Sequence, residues 1–139
     1  MSDESDIQRT INTYSQVASL VQVEKVLDLY QPDGVWAVPS QGMRCEGHAE
    51  IAAQMKLYAS AMEFVLQGNS PSVIDIDGDT ATARTSIRET GKVAGQDLGF
   101  EYIGIYVDKL VRTPGGWKFA ERVCEVIGGM TYPINKLSV

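Results

Sequence analysis

The spacing of apolar residues changes about halfway along the chain, from a helical period to an alternating one. In the first part, apolar positions such as Ile7, Ile11 and Tyr14 recur three or four residues apart and predict a helix that Ser5 or Asp6 would cap. The same period predicts a second helix and, after a short strand pair, a third. The expected helices are residues 7–21, 23–29 and 48–62, and the strand pair is residues 34–39 and 43–46.

From residue 62 onward, apolar and polar residues alternate, which predicts strand after strand. We therefore expect an α+β fold, a single domain over residues 1–139, in which leading helices pack on a bent antiparallel sheet of about five or six strands. The further strands expected are residues 63–68, 72–77, 80–89, 100–112 and 117–127, with a loop at residues 90–97.

The last two strands form the strongest single signal in the sequence. Pro114, Gly115 and Gly116 supply a tight turn between them, which predicts a long hairpin. Apolar residues occur on both parities of the first strand, so we expect both of its faces to be covered. The chain's own helices would cover one face, and a second subunit in a homodimer would cover the other, where Arg84 and Arg88 are expected.

Composition and charge exclude several classes of function. The chain has 139 residues, 44% of them hydrophobic, and a net charge of −6, which argues against a nucleic-acid-binding face. A single histidine, His48, makes a histidine-based metal site improbable, and no phosphate-binding or dinucleotide motif occurs. We therefore expect neither metal nor cofactor. Cys45 and Cys124 are expected to be reduced thiols.

The acidic first residues contain no apolar segment typical of a signal peptide, and no apolar run reaches membrane-spanning length. These features favour a cytoplasmic protein with neither membrane nor nucleic-acid partners. The expected partners are a small molecule and a second copy of the chain.

Several short motifs together resemble the SnoaL-like branch of the nuclear transport factor two-like superfamily. They are residues 33–36 (DGVW), the Gly42 to Gly47 hairpin before a helix, residues 77–81 (DGDTA) and residues 115–119 (GGWKF). The resemblance implies a cone-shaped, half-open sheet wrapped around the N-terminal helices, with an apolar pocket inside. Members of this superfamily include ketosteroid isomerase, scytalone dehydratase, polyketide cyclases, a hexachlorocyclohexane dehydrochlorinase and non-catalytic binding proteins.

The resemblance also assigns candidate positions. Many of these enzymes use an Asp late in the first helix and a His on the first long strand, and the matching positions here are Ser19 and Val65. The usual dyad is therefore absent. Arg122, five residues after Trp117, matches an arginine that lines the pocket of the dehydrochlorinase-like members. Tyr14 lies near Ser19 on the same face of the first helix.

The candidate catalytic residues are Arg122, Tyr14, Tyr102 and Glu89. Arg122 would hold developing negative charge, although a structural ion pair is an equal alternative. Tyr14 and Tyr102 would act as hydrogen-bond donors, and core packing is the alternative for each. Glu89 shares the parity of Thr85, which is expected to face inward, and a carboxylate in an apolar pocket can move a proton at working pH.

A further set of residues is expected to line the pocket and bind substrate. Gly104 lies between two tyrosines on one strand, where a missing side chain would leave space for a ligand. The predicted lining residues are Trp36, Tyr106, Cys124, Val126, Val65, Ser19 and Met55.

The sequence thus favours a cofactor-independent lyase, dehydratase or isomerase acting on a small apolar substrate, aromatic or polycyclic. Two other classes remain open. One is a non-catalytic small-molecule binding protein, and the other is a structural subunit resembling the small subunit of ring-hydroxylating dioxygenases.

Overall fold

The computed structural model describes residues 2–137, which form three α-helices, one short 3₁₀ helix (Pro39–Gln41) and seven strands. The helices are α1 (Asp3–Ser19), α2 (Val23–Leu27) and α3 (His48–Ala61). The strands are β1 (Tyr30–Val38), β2 (Met43–Glu46), β3 (Met62–Asn69), β4 (Val73–Asp77), β5 (Thr80–Val93), β6 (Gly99–Thr113) and β7 (Gly116–Tyr132). No helix within the described range is long and apolar enough to cross a membrane.

Helix α1 begins earlier than the sequence predicts. Its N-cap is Ser2, whose side-chain oxygen accepts a hydrogen bond from the backbone N–H of Ser5 at 3.1 Å. The prediction of Ser5 or Asp6 as the cap is therefore wrong. The reason is that three acidic residues of the first turn, Asp3, Glu4 and Asp6, are compatible with helix and favoured near its positive end.

The strands form one curved sheet in the order β2-β1-β7-β6-β5-β3, and β4 pairs with β5 beside β3. All pairs are antiparallel except β1 with β7, which is parallel. The sheet has seven strands rather than five or six, and β5 continues to Val93 through part of the predicted loop. It does so because β3 pairs with its second half from Ile87 onward.

Strand β7 contains a bulge that changes which residues face inward. Leu110 of β6 pairs with Phe119, but Lys109 pairs with Glu121, so Ala120 is an extra residue. The buried side chains of β7 are consequently odd-numbered before the bulge, as in Phe119, and even-numbered after it, as in Arg122. The bulge therefore brings a charged side chain into the interior.

The helices pack against the concave face of the sheet and enclose the core there. Helix α1 contributes Ile7, Ile11 and Tyr14, all nearly or fully buried, and it packs against β3. Burial of such side chains stabilises the fold by about 1.5–3 kcal/mol each. The predicted α+β class, with N-terminal helices against a curved, unclosed sheet, is confirmed.

Candidate functional site

A cavity of about 110 Å³ lies between the three helices and the concave face of the sheet. Val21 and Gln41 are its solvent-exposed members and mark the mouth, whereas Gln67 and Glu89 are buried. Most of the wall is apolar or aromatic. The lining residues are Tyr14, Ala18, Val21, Val23, Val26, Trp36, Val38, Gln41, Met43, Gln54, Met55, Tyr58, Val65, Gln67, Glu89, Tyr102, Tyr106 and Val126.

Glu89 on β5 is the carboxylate of this cavity, and it is 6% exposed. The hydroxyl of Tyr58 on α3 donates to Oε2 at 2.8 Å. The side-chain amide of Gln67 on β3 donates to Oε1 at 3.2 Å. Both carboxylate oxygens are therefore held by neutral donors from two other elements, which fixes the orientation of the carboxylate.

Burial is the main influence on the Glu89 carboxyl, and it raises the pKa of Glu89 above the ordinary value of 4.5. Hydrogen bonding partly offsets the effect of burial, because it favours the charged form of Glu89. The donors are the side chains of Tyr58, Tyr102 and Gln67, and Tyr102 is the residue opposite Glu89 across β5 and β6. A carboxyl with a raised pKa is suited to gaining and losing a proton near neutral pH.

Gln67 connects this carboxylate to the rest of the cavity wall. Its amide nitrogen also donates to the hydroxyl of Tyr106 at 3.3 Å, and its carbonyl oxygen accepts from the hydroxyl of Ser15 at 3.2 Å. The backbone N–H of Gln67 donates to the hydroxyl of Ser19 at 2.7 Å. Two residues of α1 thus fix the side chain that positions Glu89.

The aromatic residues beneath the cavity form one cluster around Tyr14. The ring of Tyr14 meets Tyr30, Tyr106 and Phe119 edge-on, with ring centres 5.7 to 6.0 Å apart. Such contacts contribute about 0.5–1.5 kcal/mol per pair beyond burial. Burial raises the pKa of Tyr14 and of Tyr106, so both hydroxyls remain protonated and can donate hydrogen bonds.

Arg122 lies behind this cluster and does not line the cavity. It is fully buried, and Asp108 lies directly opposite it across β6 and β7. Nε of Arg122 donates to Oδ1 of Asp108 at 2.9 Å, and Nη2 donates to Oδ2 at 3.3 Å. The guanidinium carbon lies 3.7, 4.2 and 4.5 Å from the ring centres of Tyr106, Tyr14 and Phe119.

The charge of Arg122 is compensated by this ion pair. Burial is the largest single influence and disfavours the guanidinium ion, but the carboxylate of Asp108 and the neighbouring tyrosines together outweigh it and raise the pKa of Arg122. No partner for Nη1 lies within the described residues. The two tyrosine rings separate the guanidinium from the cavity, so its influence on a ligand would pass through Tyr14 and Tyr106.

The structure brings most of the predicted site residues together around the cavity. Three lie outside its lining: Ser19, which bonds Gln67; Cys124, a buried free thiol; and Arg122. Burial raises the pKa of Cys124 to about 11, which keeps the thiol protonated. The predicted residues that line the cavity are Tyr14, Trp36, Met55, Val65, Glu89, Tyr102, Tyr106 and Val126.

The prediction that Gly104 leaves space for a ligand is wrong, because the neighbouring strand fills that space. A Cβ atom at Gly104 would lie 2.8 Å from the carbonyl oxygen of Glu125 on β7. The close approach occurs beside a second bulge, at Ile127, where the register of β6 and β7 shifts. Gly104 is therefore required by strand packing.

Sequence reasoning missed the two residues whose side chains donate to Glu89, Tyr58 and Gln67. Helical spacing alone allows either Tyr58 or Leu57 to face inward on α3, and the structure leaves Leu57 63% exposed. Gln67 shares the parity of the inward-facing Val65 on β3, which was an available signal.

Metal binding finds no support in the side-chain arrangement. Between residues 2 and 137, no group of three or more His, Cys, Asp or Glu side chains is placed to hold a metal ion.

Comparison with known proteins gives a family and several structural relatives. A protein of Novosphingobium aromaticivorans provisionally assigned as a scytalone dehydratase is 19% identical, with a TM-score of 0.84 over 94% of this chain and 88% of the other. An NTF2-like protein with a cystatin-like fold from the same species is 25% identical, with a TM-score of 0.78 over 90% and 82%.

The hexachlorocyclohexane dehydrochlorinase LinA-type3 of Novosphingobium barchaimii is 12% identical, with a TM-score of 0.80 over 97% of this chain and 92% of the other. No curated protein sequence matches the chain. The model of the SnoaL-like domain matches residues 1–123. The chain therefore belongs to the SnoaL-like domain family, within the NTF2-like superfamily.

Proposed function

We propose that this protein is a cofactor-independent enzyme, a lyase, dehydratase or isomerase that moves a proton on a small apolar substrate. The observation that carries the proposal is Glu89, a buried carboxylate held by neutral donors in an apolar cavity. Two proteins of similar fold, one provisionally assigned as a scytalone dehydratase and one named a dehydrochlorinase, are consistent with this class.

In this proposal Glu89 is the general base. The substrate C–H bond breaks, the proton forms an O–H bond on Glu89, and the electron pair remains on the substrate. From there it moves toward an oxygen atom, as in an isomerisation, or expels a leaving group, as in an elimination. Tyr58 and Gln67 keep the carboxylate aimed at the cavity through the transfer.

Negative charge that develops on the substrate needs donors other than Glu89. The hydroxyls of Tyr102 and Tyr14 belong to the cavity wall and remain protonated, because burial raises the pKa of both. They are our candidates for this role. We assign Arg122 an indirect part, since its guanidinium lies against the rings of Tyr14 and Tyr106. Its positive charge opposes the rise in the pKa of both residues and so makes their hydroxyls better hydrogen-bond donors.

A non-catalytic binding protein is the second candidate. The absence of the His–Asp dyad that many family enzymes carry favours this candidate. At the two matching positions, the hydroxyl of Ser19 accepts a backbone hydrogen bond, and Val65 is apolar. In that case the Glu89 network would recognise a hydrogen-bonding group of the ligand without moving a proton.

The test begins with a screen of aromatic alcohols, ketones and epoxides for turnover. Replacing Glu89 by Gln keeps the size and the hydrogen bonding of the side chain but removes the base. For a compound that is turned over, Glu89→Gln should lower kcat by about 10²–10⁴-fold, the usual contribution of a general base, with affinity within a few-fold. Normal kcat in this variant excludes Glu89 as the base, and binding without any turnover favours the binding protein.

We further propose a homodimer through the convex face of the sheet. The support is a set of large apolar side chains exposed there, including Leu66 at 61%, Ile103 at 42% and Ile127 at 64%. Arg84 and Arg88 alternate outward on the same face of β5. Sedimentation equilibrium at micromolar concentration should give a dimer, and Ile103→Glu should give a folded monomer. A wild-type monomer under these conditions excludes the dimer.

A further inference from the structure

The lining of the cavity contains very few ionisable side chains that can carry a charge at neutral pH. Glu89 is the one carboxylate among the lining residues that the structure describes, and that lining contains no Lys, Arg or His. Burial raises the pKa of each lining tyrosine, so these phenols stay neutral at physiological pH. A ligand in this cavity therefore meets one potential negative charge and no positive side chain.

Arg122, the positively charged side chain behind the cavity wall, does not supply a countercharge for a ligand. Arg122 is fully buried behind the rings of Tyr14 and Tyr106, and its charge is matched by Asp108 at 2.9 Å. An anionic ligand would have to leave water without gaining a countercharge and would face Glu89 in a poorly screened environment. Both effects disfavour anions.

A cationic ligand conflicts with the proposed chemistry in a different way. An ammonium group beside Glu89 would form an ion pair and hold the carboxylate in its charged form. The same pair would lower the basicity of Glu89 and oppose its uptake of a proton. A productive ligand is therefore uncharged.

Cavity volume limits the size of that ligand. The cavity, which is open at its mouth, has a volume of about 110 Å³. In an engineered protein, an apolar cavity of about 150 Å³ binds benzene. The space beside Glu89 therefore holds no more than about one six-membered ring, and a fused two-ring compound would have to project through the mouth or displace the wall.

We propose that the cavity selects an uncharged compound of one ring with a single hydrogen-bonding group, and that it rejects carboxylates. This inference rests on the proposed function in one respect, since it uses Glu89 as the group that the ligand approaches. It narrows the predicted aromatic or polycyclic substrate to a neutral one-ring compound.

Four probes separate the alternatives by charge and size: phenol, benzoate, benzylamine and 2-naphthol. Binding to the full chain is followed at pH 7.5 through the two indole N–H signals in NMR titrations. Trp36 lines the cavity, whereas the indole of Trp117 donates to Asp3 at 3.3 Å outside it. Ligand in the cavity should shift the Trp36 signal and leave the Trp117 signal in place.

We expect phenol to bind at least about tenfold more tightly than benzoate, because the anion meets the charge of Glu89. Phenol should also bind more tightly than benzylamine and 2-naphthol. Glu89→Gln should narrow the difference between phenol and benzoate severalfold. Glu125→Gln removes the same charge from an exposed position on β7 and should leave the difference unchanged.

The proposal is overturned if benzoate binds as tightly as phenol, if benzylamine binds most tightly, or if none of the probes shifts Trp36. Tighter binding of 2-naphthol than of phenol overturns the limit to one ring. These titrations need no turnover, so their failure is distinct from failure of the enzymatic proposal. If Glu89→Gln loses the preference for phenol over benzoate but keeps a normal kcat, then Glu89 selects ligands by charge and is not the general base.

Discussion

Two buried carboxylates lie on neighbouring strands, and they are held in opposite ways. Asp108 on β6 is fully buried and forms two hydrogen bonds with the guanidinium of Arg122. Glu89 on β5 is almost as buried but is held by the neutral donors Tyr58 and Gln67. The first carboxylate has a permanent countercharge, whereas the second has none among the cavity residues.

The difference separates a structural charge from an available one. A buried ion pair is strongly coupled, and neither member can change its charge without leaving the other uncompensated. A carboxylate held by neutral donors can take up a proton while its partners remain in place. Glu89 also faces a cavity, whereas Asp108 faces β7 and lies outside the cavity lining. This contrast is why we assign proton transfer to Glu89.

The largest expected effect comes from breaking the Asp108 pair. Arg122→Met should reduce the free energy of unfolding by about 3–5 kcal/mol, because Asp108 would remain buried without its countercharge. Urea denaturation monitored by circular dichroism measures the change. Arg9→Met, at an exposed position on α1, should have little effect.

Replacing both members of the pair sharpens this prediction. Arg122→Met with Asp108→Leu leaves no unpaired charge, so it should recover most of the lost stability. If the double variant is as unstable as Arg122→Met, packing of the guanidinium against the aromatic rings dominates instead.

The next effect concerns pH and follows from the raised pKa of Glu89. A carboxyl whose folded-state pKa is raised stabilises the fold at low pH, and this contribution is lost as pH rises through the folded pKa. The free energy of unfolding of Glu89→Gln, taken relative to that of the wild type, should therefore increase as pH rises above 4.5.

Parallel denaturation of wild type and Glu89→Gln between pH 4 and 8 isolates this effect from those of other carboxyls. Hydrogen bonding to Arg112 lowers the pKa of Asp3 to about 2, and its contribution has the opposite sign, but it is common to both proteins. A difference that does not depend on pH would show that Glu89 titrates normally.

The smallest predicted effect concerns the donor on α3. Tyr58→Phe removes the 2.8 Å hydrogen bond to Glu89, so the pKa of Glu89 should rise further. For a substrate found in the screen, the acid limb of the pH-rate profile should move to higher pH and kcat should fall about tenfold. Tyr132→Phe, which removes a hydroxyl bonded to Thr90 outside the cavity, is the matched control. An unshifted profile would separate Tyr58 from the proton transfer.

The sequence was sufficient to predict the fold class and the inward-facing carboxylate of the site. Helical spacing identified α1 and α3, and strand parity placed Glu89 inward. It was insufficient for contacts between elements, because the hydrogen bond from Tyr58 depends on how α3 packs over β5. Periodicity specifies which face of a helix is buried but not which residue of a distant strand it meets.

The partner of Arg122 was hidden for a different reason. Counting back from the turn at residues 114–116 without a bulge puts Val107 opposite Arg122. The extra residue Ala120 shifts the register by one and puts Asp108 there. A one-residue irregularity that no composition rule identified thus decides whether the arginine has a carboxylate partner.

That irregularity can be lost without moving the interior. Deleting Ala120 would place Phe119, Glu121 and Arg122 opposite Leu110, Lys109 and Asp108 in an uninterrupted ladder, so Arg122 and Cys124 would still point to the concave side. Deleting Val123, which lies in the regular part of the strand, would instead turn Cys124 to the convex side and Glu125 inward. Relatives that share this interior can therefore lack a residue at position 120, whereas gaps should be absent between Arg122 and Cys124.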